Sequence, residues 1–319
     1  MNKKNRIQGD DKLSTDTTTK TVAESIVAKK VIAGFEEALA ADGKAPKTVE
    51  SYTGDIRAFL EWLESKGNIF TGNLKRFHIT SYRSYLVQNS YEINTINKKL
   101  NSLQSFNQFL MDRGYLTEQV VDLKKDKVKL AAGSEKEVEV FTDDEVEKLL
   151  FFIQGENILS RDRLIVLLLL YTGVRVSELV NIKLRDVDLL SMNLTIAWGK
   201  GGKRREVPLK GEVIEAIKEY LQGQRKDNKF VDSEYLILTN RSAKMDRDAI
   251  NRLLNRLESK LSIRMHPHKF RHTFCTNLLK RGVELTTVAK LAGHSSIQTT
   301  ASFYINTLQK DKREVVELR

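Results

Sequence analysis

The chain has 319 residues, enough for two domains that each bury a core without disulfides or metals. Lys and Arg number 53 against 42 Asp and Glu, and the formal net charge is +11. This excess favours a polyanionic partner such as nucleic acid, although a basic protein without such a partner would also carry it. The single cysteine, Cys275, excludes an internal disulfide and a zinc site of several thiolates, and it fits a reducing cytoplasm.

Neither the amino-terminal region nor the longest apolar run has the pattern of a secretion signal or a membrane span. The first thirteen residues lack the apolar stretch of a signal peptide, and the following Ser14 to Lys20 is polar and threonine-rich. The longest apolar run, Leu164 to Leu170, is far shorter than the roughly 20 residues of a membrane-spanning helix and indicates a buried helix. We therefore expect a disordered tail over residues 1–22 and a cytoplasmic protein.

Residues 23–123 are predicted to form a helical domain. Behind Pro46, which suits a first helical turn, apolar residues recur at spacings of three and four: Val49, Tyr52, Ile56, Phe59, Leu60 and Leu63. A second amphipathic helix contains Ile96, Leu100, Leu103, Phe106 and Leu110. Lys98 and Lys99 lie off that apolar stripe, where they can face a phosphate backbone or simply solvate a surface.

Residues 124–138 are charged and alternating, without a helical stripe, and are predicted to form a linker. A second domain is predicted over residues 139–319. Its first helix begins behind Thr142, an N-cap, with Glu145 completing a capping box.

The second domain is predicted to be mainly helical with a small antiparallel sheet. The predicted strands are Asn193 to Trp198, Arg204 to Leu209 and Tyr235 to Thr239, with a glycine-rich hairpin between the first two. The predicted helices are Asp162 to Tyr171, Asp246 to Lys260, Lys269 to Lys280 and Thr286 to Ala292.

The segment TGVRVSEL places Arg175 at the start of a helix behind a turn at Gly173. A guanidinium there can make paired hydrogen bonds to phosphate oxygens, helped by the positive end of the helix dipole. Glu178, three residues later, can hold that guanidinium in place. An ordinary surface pair of Arg and Glu has the same spacing.

The basic hairpin GKGGKRR supplies candidates for a proton donor and for DNA contacts. The ammonium of Lys200 can enter a site with DNA and protonate a leaving alkoxide, and we favour it over Lys203, although the spacing does not decide between them. Lys203 and Arg204 are candidate DNA contacts. An ordinary turn would have the same composition.

In HPHKFRHTF, His268 and Arg271 are three residues apart at a helix start and can share a face. The imidazole can accept a proton while the guanidinium binds a phosphate. His266 precedes a proline and is expected to be structural, whereas His272 has a spacing that keeps it an alternative base. A metal site is the minor interpretation, because no nearby carboxylate or thiolate completes the ligand set and Arg271 would repel the ion.

The segment LAGHSS indicates a tight turn, with a helix end at Gly293, a new N-cap at Ser295 and the ring of His294 pointing outward. Tyr304 follows ten residues after that histidine. A tyrosine near a carboxyl terminus is usually only a packing residue. It becomes a nucleophile when nearby cations lower its effective pKa or a base takes its proton.

Together these motifs resemble the tyrosine recombinase (phage integrase) family, which includes Xer-type recombinases and the integrases and resolvases of mobile elements. The resemblance spans nearly the whole chain and is most specific at TGVRVSEL, HPHKFRHTF and LAGHSSIQTT. It implies a helical, SAM-like core-binding domain and a catalytic domain that form a clamp on duplex DNA. It also implies chemistry without cofactor or metal, and a synaptic homotetramer in which the tail Ile305 to Arg319 docks on a neighbouring protomer.

The resemblance also implies roles for the six candidates. Arg175 and Arg271 would clamp the non-bridging oxygens of the scissile phosphate. Lys200 would protonate the departing 5′ oxygen, and His268 would act as base toward Tyr304.

His294 would add a hydrogen bond to the same phosphate. One departure concerns the nucleophile, which commonly follows the last histidine by nine residues in this family. Here position nine is Phe303 and the phenol of Tyr304 stands at ten, a difference that a one-residue bulge can absorb.

The implied function is site-specific recombination through a 3′-phosphotyrosyl intermediate and a Holliday junction, for integration, cointegrate resolution or dimer resolution. The threonine-rich amino-terminal extension is unlike a minimal Xer protein and favours a mobile element. Two alternatives stay open from the sequence: a DNA-binding regulator that has lost catalysis, and a type IB topoisomerase.

Overall fold

The computed structural model describes residues 13–129, 138–196, 204–294, 296–298 and 300–301, with side chains from Val27 onward. The chain divides into two units, Met1–Glu135 and Lys136–Arg319, and the division falls inside the predicted linker. None of the helices in these ranges is long and apolar enough to cross a membrane. The fold is mainly helical with a small antiparallel sheet, as predicted.

The first unit is helical throughout its described part. Its elements are α1 (Leu13–Ala41), α2 (Pro46–Ser65), α3 (Arg76–Gln88), α4 (Ile93–Asp112) and α5 (Leu123–Asp126). The predicted stripes of α2 and α4 face each other, and Ile56, Phe59, Leu100 and Phe106 are buried between the helices. Burial of this apolar surface is the main source of stability for the unit.

The amino terminus differs from the prediction. Residues 1–12 of the predicted disordered tail lie outside the described ranges, whereas residues 13–22 belong to α1. A polar, threonine-rich segment has no apolar stripe, and such a stripe is the main sequence signal for a helix.

The start of the predicted linker also differs, because the chain stays packed on the first unit through Val128. The buried carboxylate of Asp126 pairs with both terminal nitrogens of Arg76, and Arg83 donates to the Asp126 carbonyl at 2.7 Å. The Asn97 side chain exchanges two hydrogen bonds with the backbone of Val128, at 2.9 and 3.0 Å. These partners lie 31 to 50 residues earlier in the chain, so local composition does not reveal them.

The second unit is built around a buried central helix. Its helices are α6 (Asp143–Ile153), α7 (Ser160–Thr172), α8 (Val176–Leu179), α9 (Gly211–Gln222), α10 (Arg247–Leu261), α11 (Pro267–Lys280) and α12 (Leu285–Ala292). Every residue of α7 from Leu164 to Leu170 is buried, as predicted, and α7 packs against α9 and α11. The predicted capping box of Thr142 and Glu145 is present, with two hydrogen bonds of 3.1 Å.

Three short antiparallel strands follow α8 in the order β1 (Val187–Asp188), β2 (Asn193–Ile196) and β3 (Arg205–Pro208). Leu194 pairs with Val207 and Ile196 with Arg205. Leu194, Ile196 and Val207 are buried against the core. The connection between β2 and β3 runs through residues 197–203, which lie outside the described ranges.

The prediction of a third strand over Tyr235 to Thr239 is wrong. Only Tyr235 pairs, in a single bridge with Lys183. The guanidinium of Arg225 donates to the carbonyls of Tyr235 and Leu236 instead, and the N–H of Leu238 donates to the hydroxyl of Tyr220. Side chains thus satisfy part of the buried backbone, and the N–H of Leu236 and the carbonyl of Ile237 bond to backbone groups of Ile182 and Met245 outside the named strands.

Gly173 ends α7 in a conformation that only glycine adopts easily, with φ of 57°. A Cβ at this position would stand 2.3 Å from the Phe274 ring, so the turn also presses against α11. We expect Gly173→Ala to lower the unfolding free energy by about 3 kcal/mol, combining backbone strain with overpacking. Gly282→Ala is the matched control, since its φ is 78° but its Cβ position is open.

Gly282→Ala therefore reports the backbone cost alone, about 1 kcal/mol. Urea unfolding of the two variants measures the difference. Equal losses would contradict the contact between Gly173 and Phe274.

Candidate active site

The Arg175 turn joins the end of α7 to α8. Arg175 is the N-cap residue of α8, and its backbone N–H donates to Glu178 Oε2 at 2.8 Å. Its guanidinium donates from Nη1 to Glu178 Oε1 at 2.8 Å and from Nη2 to the Gly293 carbonyl at 2.6 Å. The contact with Glu178 that the spacing suggested is therefore present, and a carbonyl 118 residues away completes it.

Arg205 is a second cation on the same carboxylate. From β3 it donates to both oxygens of Glu178, at 3.0 and 2.8 Å, and its Nε donates to the Leu291 carbonyl at 2.9 Å. Burial raises the pKa of Glu178, but hydrogen bonds from Arg205 and Arg175 lower it more, so its pKa lies below the ordinary value. The carboxylate stays ionised between two guanidiniums.

Sequence reasoning named the neighbouring Arg204 as a candidate and missed Arg205. Successive strand residues point to opposite faces, and the structure turns Arg205 inward with a side chain 10% exposed. Arg204 is exposed and lies 3.7 Å from Glu206. The signal available in the sequence was the alternation around Val207, which places Arg205 on the same face as a buried residue.

Arg271 is the most buried cation of the site, with only 4% of its surface exposed. It lies on α11, and its Nη1 donates to the Gly173 carbonyl at 2.6 Å. Burial, reinforced by the charge of Arg175, lowers the pKa of Arg271 to about 10, so it is protonated at pH 7. Its Nη2 is buried and has no hydrogen-bond partner among the residues that the structure describes.

Two histidines flank Arg271 on α11, and their rings are 6.1 Å apart. His268 is exposed, and its pKa is lowered by partial desolvation and by the charges of His266, Arg271 and Arg175. Burial lowers the pKa of His272 further, to about 4. Both rings are thus neutral at pH 7, and the more accessible and more basic ring is His268.

His266 caps α11, in agreement with its expected structural role. Its Nδ1 accepts from the Lys269 N–H at 3.2 Å, so Nε2 carries the proton and faces Glu139 Oε2 at 3.4 Å. Within the described ranges, no group of three or more His, Cys, Asp or Glu is arranged to hold a metal ion.

His294 follows Gly293, which ends α12 with φ of 68°, as the predicted turn requires. Its Nδ1 lies 2.8 Å from the hydroxyl of the buried Thr300. Burial and the charges of Arg271 and Arg175 lower the pKa of His294 to about 4. A neutral ring beside the two arginines can donate or accept a hydrogen bond without adding charge.

Several predicted site residues are not part of this described cluster. Lys200, Lys203 and Tyr304 lie outside the described ranges. In the first unit, the ammonium groups of Lys98 and Lys99 both contact the buried carboxylate of Asp55, at 3.1 and 3.3 Å.

The two lysines differ in exposure, because the Lys98 side chain is 51% exposed and that of Lys99 only 14%. The hydroxyl of Ser102 also donates to Asp55, at 2.8 Å. Lys99 is therefore mainly a partner of a buried acid, whereas Lys98 keeps a surface that a phosphate can reach.

The cluster around Arg175 brings more positive than negative charge to one place, since three guanidiniums surround one carboxylate. An excess of fixed positive charge without a metal ligand set suits a phosphate monoanion. Residues 139–311 match the family described as "Phage integrase family", and residues 32–114 match "Phage integrase, N-terminal SAM-like domain". The chain belongs to the phage integrase family.

Relatives of this integrase-family chain carry recombinase names. This chain is 36% identical over 286 residues to the TnP I resolvase of Bacillus thuringiensis, and the match covers 89% of this chain and 98% of that protein. It is 33% identical over 296 residues to the tyrosine recombinase XerA of Thermococcus kodakarensis, with coverages of 90% and 96%. The chain is accordingly a tyrosine site-specific recombinase.

Solved structures share the fold at low sequence identity. A XerH site-specific recombinase bound to its palindromic difH substrate matches with a TM-score of 0.74 at 18% identity, covering 96% of this chain and 90% of that one. The Tn1549 transposon integrase in complex with transposon right end DNA matches with 0.68 at 20% identity, with coverages of 90% and 99%.

The low pKa values of His272 and His294 predict a pH dependence of stability for this recombinase. An unfolded histidine binds a proton near pH 6.5, but the folded rings do so only near pH 4. The unfolded state therefore binds more protons between these values, and the unfolding free energy falls as pH is lowered from 6.5 toward 4.

Urea unfolding at pH 7.5 and pH 5 measures this loss. His272→Gln is expected to reduce it, because one of the two titrating rings is gone. If the variant and the unmodified protein lost the same free energy between these pH values, the assignment of the loss to His272 would be wrong.

Proposed function

We propose that this tyrosine recombinase cuts and rejoins duplex DNA through a 3′-phosphotyrosyl intermediate and a Holliday junction, in the service of a mobile element. The relative named TnP I resolvase supports a mobile-element role. The net charge of +11 supports a polyanionic substrate.

One observation carries the proposal: the buried Nη2 of Arg271, which has no partner in the described part of the chain. A buried N–H of a charged group is costly without an acceptor. Arg271 lies close enough to Arg175 for each charge to affect the other, and a phosphate oxygen between them would supply the acceptor that Nη2 of Arg271 lacks. We assign the two guanidiniums to the non-bridging oxygens of the scissile phosphate.

In the first step the phenol oxygen of Tyr304 attacks the phosphorus and the bond to the 5′ oxygen breaks. His268 accepts the phenol proton, for which its neutral, exposed ring is suited. Lys200 gives a proton to the departing oxygen, leaving a 5′ hydroxyl. His272 is the weaker candidate for the base, since it is less exposed and has a pKa of about 4.

The arginines stabilise the charge that develops on the phosphorane oxygens, and His294 adds a neutral hydrogen bond beside them. Attack by the 5′ hydroxyl of a partner duplex on the phosphotyrosyl bond reverses the step and joins the strands. The bond energy stays in the covalent intermediate, so the exchange needs no nucleotide triphosphate.

The first unit is proposed to hold the DNA from a second side, forming a clamp with the catalytic unit. Lys98 is the better candidate there for a phosphate contact, because half of its side chain is exposed and Asp55 keeps its ammonium in place. Lys203 and Arg204 are proposed to contact the backbone from the catalytic unit, and Arg204 is exposed as this requires.

The tail Ile305 to Arg319 is proposed to dock on a neighbouring protomer in a synaptic tetramer. The catalytic unit has a mainly apolar cavity of about 240 Å³. Its lining includes Tyr171, Val207, Phe274, Leu278, Lys210 and Arg281. The tail contains both Val316 and Leu318 for the apolar wall and Glu314 and Glu317 for the two cations.

Tyr304→Phe is expected to abolish covalent attachment to DNA and to leave DNA binding intact, because only the nucleophilic oxygen is removed. Denaturing electrophoresis of the protein with a nicked, end-labelled recombination site measures the adduct. Phe303→Tyr combined with Tyr304→Phe is the matched control, since it moves the phenol to the position that is common in the family.

Specific binding without any adduct from the unmodified protein would identify a DNA-binding regulator instead. Relaxation of plasmids that lack a target site would identify a topoisomerase. An adduct that persists in Tyr304→Phe would exclude this tyrosine as the nucleophile.

Leu278→Glu is expected to prevent the tetramer from forming on DNA, because a carboxylate in the apolar cavity opposes docking of the tail. Sedimentation of the protein with paired sites measures assembly, and adduct formation on a single duplex shows that the variant is folded. Leu190→Glu is the matched control, as Leu190 is 97% exposed in the same unit. Normal tetramers of Leu278→Glu would exclude this cavity as the docking site.

A further inference from the structure

Arg205 connects three segments of the proposed active site from its place at the start of β3. It pairs with Ile196 at the end of β2, so it stands at the base of the connection that contains Lys200. Its guanidinium holds Glu178 of α8 with two bonds and the Leu291 carbonyl of α12 with a third. A single side chain thus joins the sheet to both phosphate-binding turns.

These bonds close a ring through the site. Arg175 is held by Glu178 on one side and by the Gly293 carbonyl on the other. Arg205 holds the same carboxylate and the Leu291 carbonyl, two residues before Gly293. Because Arg175 and Arg205 both bond to Glu178 and to a carbonyl at the end of α12, a movement of one arginine displaces the other.

The Gly293 position shows how closely this ring is packed. A Cβ there would stand 2.8 Å from Nη1 of Arg205, and the backbone has φ of 68°. Arg205 is itself only 10% exposed. Its guanidinium therefore donates its hydrogen bonds within the protein and does not extend toward solvent.

We infer that Arg205 is a positioning residue, which fixes the Arg175 guanidinium through Glu178 and ties β3 to the phosphate-binding turns. The inference rests on the proposed function and adds a residue that does not itself contact the substrate. Two effects follow from the geometry, one of position and one of charge.

The effect of position concerns the ring. Without Arg205, Glu178 keeps only its bonds from Arg175, and the end of α12 loses its tie to β3. A misplacement of a catalytic group by about 1 Å can cost roughly 10²-fold in rate.

The effect of charge concerns how the negative charge of Glu178 is shared between Arg175 and Arg205. With Arg205 present, the carboxylate serves two guanidiniums, and Arg175 retains charge for a phosphate. With Arg205 absent, Arg175 alone neutralises Glu178 and attracts the phosphate less. Among the described residues, the charged or titratable groups around this carboxylate and its partners are Arg175, Arg205, Arg271, Cys275, His268, His272 and His294.

The test measures single-turnover adduct formation on a nicked site across pH 5 to 9. Arg205→Ala is expected to slow the reaction roughly 10²-fold. Arg205→Lys is expected to restore part of the rate, because an ammonium keeps the charge but not the three-bond geometry. Arg252→Ala is the matched control, an exposed arginine of α10 paired only loosely with Asp246 at 3.9 Å, and it is expected to react at the unmodified rate.

The pH profile separates positioning from a merely structural role. Arg205 lowers the pKa of Glu178, so its loss should move the part of the acidic limb that Glu178 contributes to higher pH, beside the part that the base His268 contributes. Glu178→Gln should remove the part that Glu178 contributes and leave the part from His268. Combined with Arg205→Ala, it should slow the reaction by less than the product of the two single effects, since both act through one ring.

The outcomes decide between the inference and the function on which it rests. If the unmodified protein forms no adduct, the proposed function fails and the inference with it. If the unmodified protein reacts but Arg205→Ala matches Arg252→Ala in rate and pH profile, only the inference is overturned. A slow Arg205→Ala with an unmoved acidic limb and effects that multiply with Glu178→Gln would also overturn it, whereas the urea midpoints report any loss of folding separately.

Discussion

The buried carboxylate of Glu178 is the interaction on which the catalytic unit depends. It lies between Arg175 and Arg205 and accepts four hydrogen bonds of 2.8 to 3.0 Å from them. A buried charge is tolerated only with such partners, and removing one partner of a buried pair typically costs about 3–5 kcal/mol. Because the three residues come from a turn, a short helix and a strand, this carboxylate fixes how those elements meet.

Arg271 shows the opposite arrangement, a buried cation that the described protein only partly satisfies. One terminal nitrogen donates to the Gly173 carbonyl, and the other has no partner within the described residues. The fold tolerates this because the neighbouring carboxylate offsets part of the repulsion between guanidiniums. An unsatisfied buried donor of a charged group calls for an acceptor, and here the histidines around the arginines are neutral at pH 7, so they add no further repulsion to an anion site.

Local sequence signals predicted most of the fold. The capping box of Thr142, the apolar run of α7 and the glycine that ends it depend only on residues a few positions apart, and all are present. Two of the errors share one cause, contacts between residues far apart in the chain. Tyr235 to Thr239 has the composition of a strand, but Arg225 and Tyr220 satisfy part of its backbone. The predicted linker begins with residues that Arg76 and Asn97 hold on the first unit.

The sequence by itself determined the family and suggested the residue types proposed to perform its chemistry, because both are carried by short motifs around Arg175, Arg271 and His294. Only the tertiary structure decided which cations are available to a ligand. It turned Arg205 inward onto Glu178, placed Lys99 against Asp55 and left one nitrogen of Arg271 without a described partner. Periodicity and capping act within a few residues, whereas an ion pair or a side-chain hydrogen bond forms between whichever groups packing brings together, here across 27 to 118 positions of the chain.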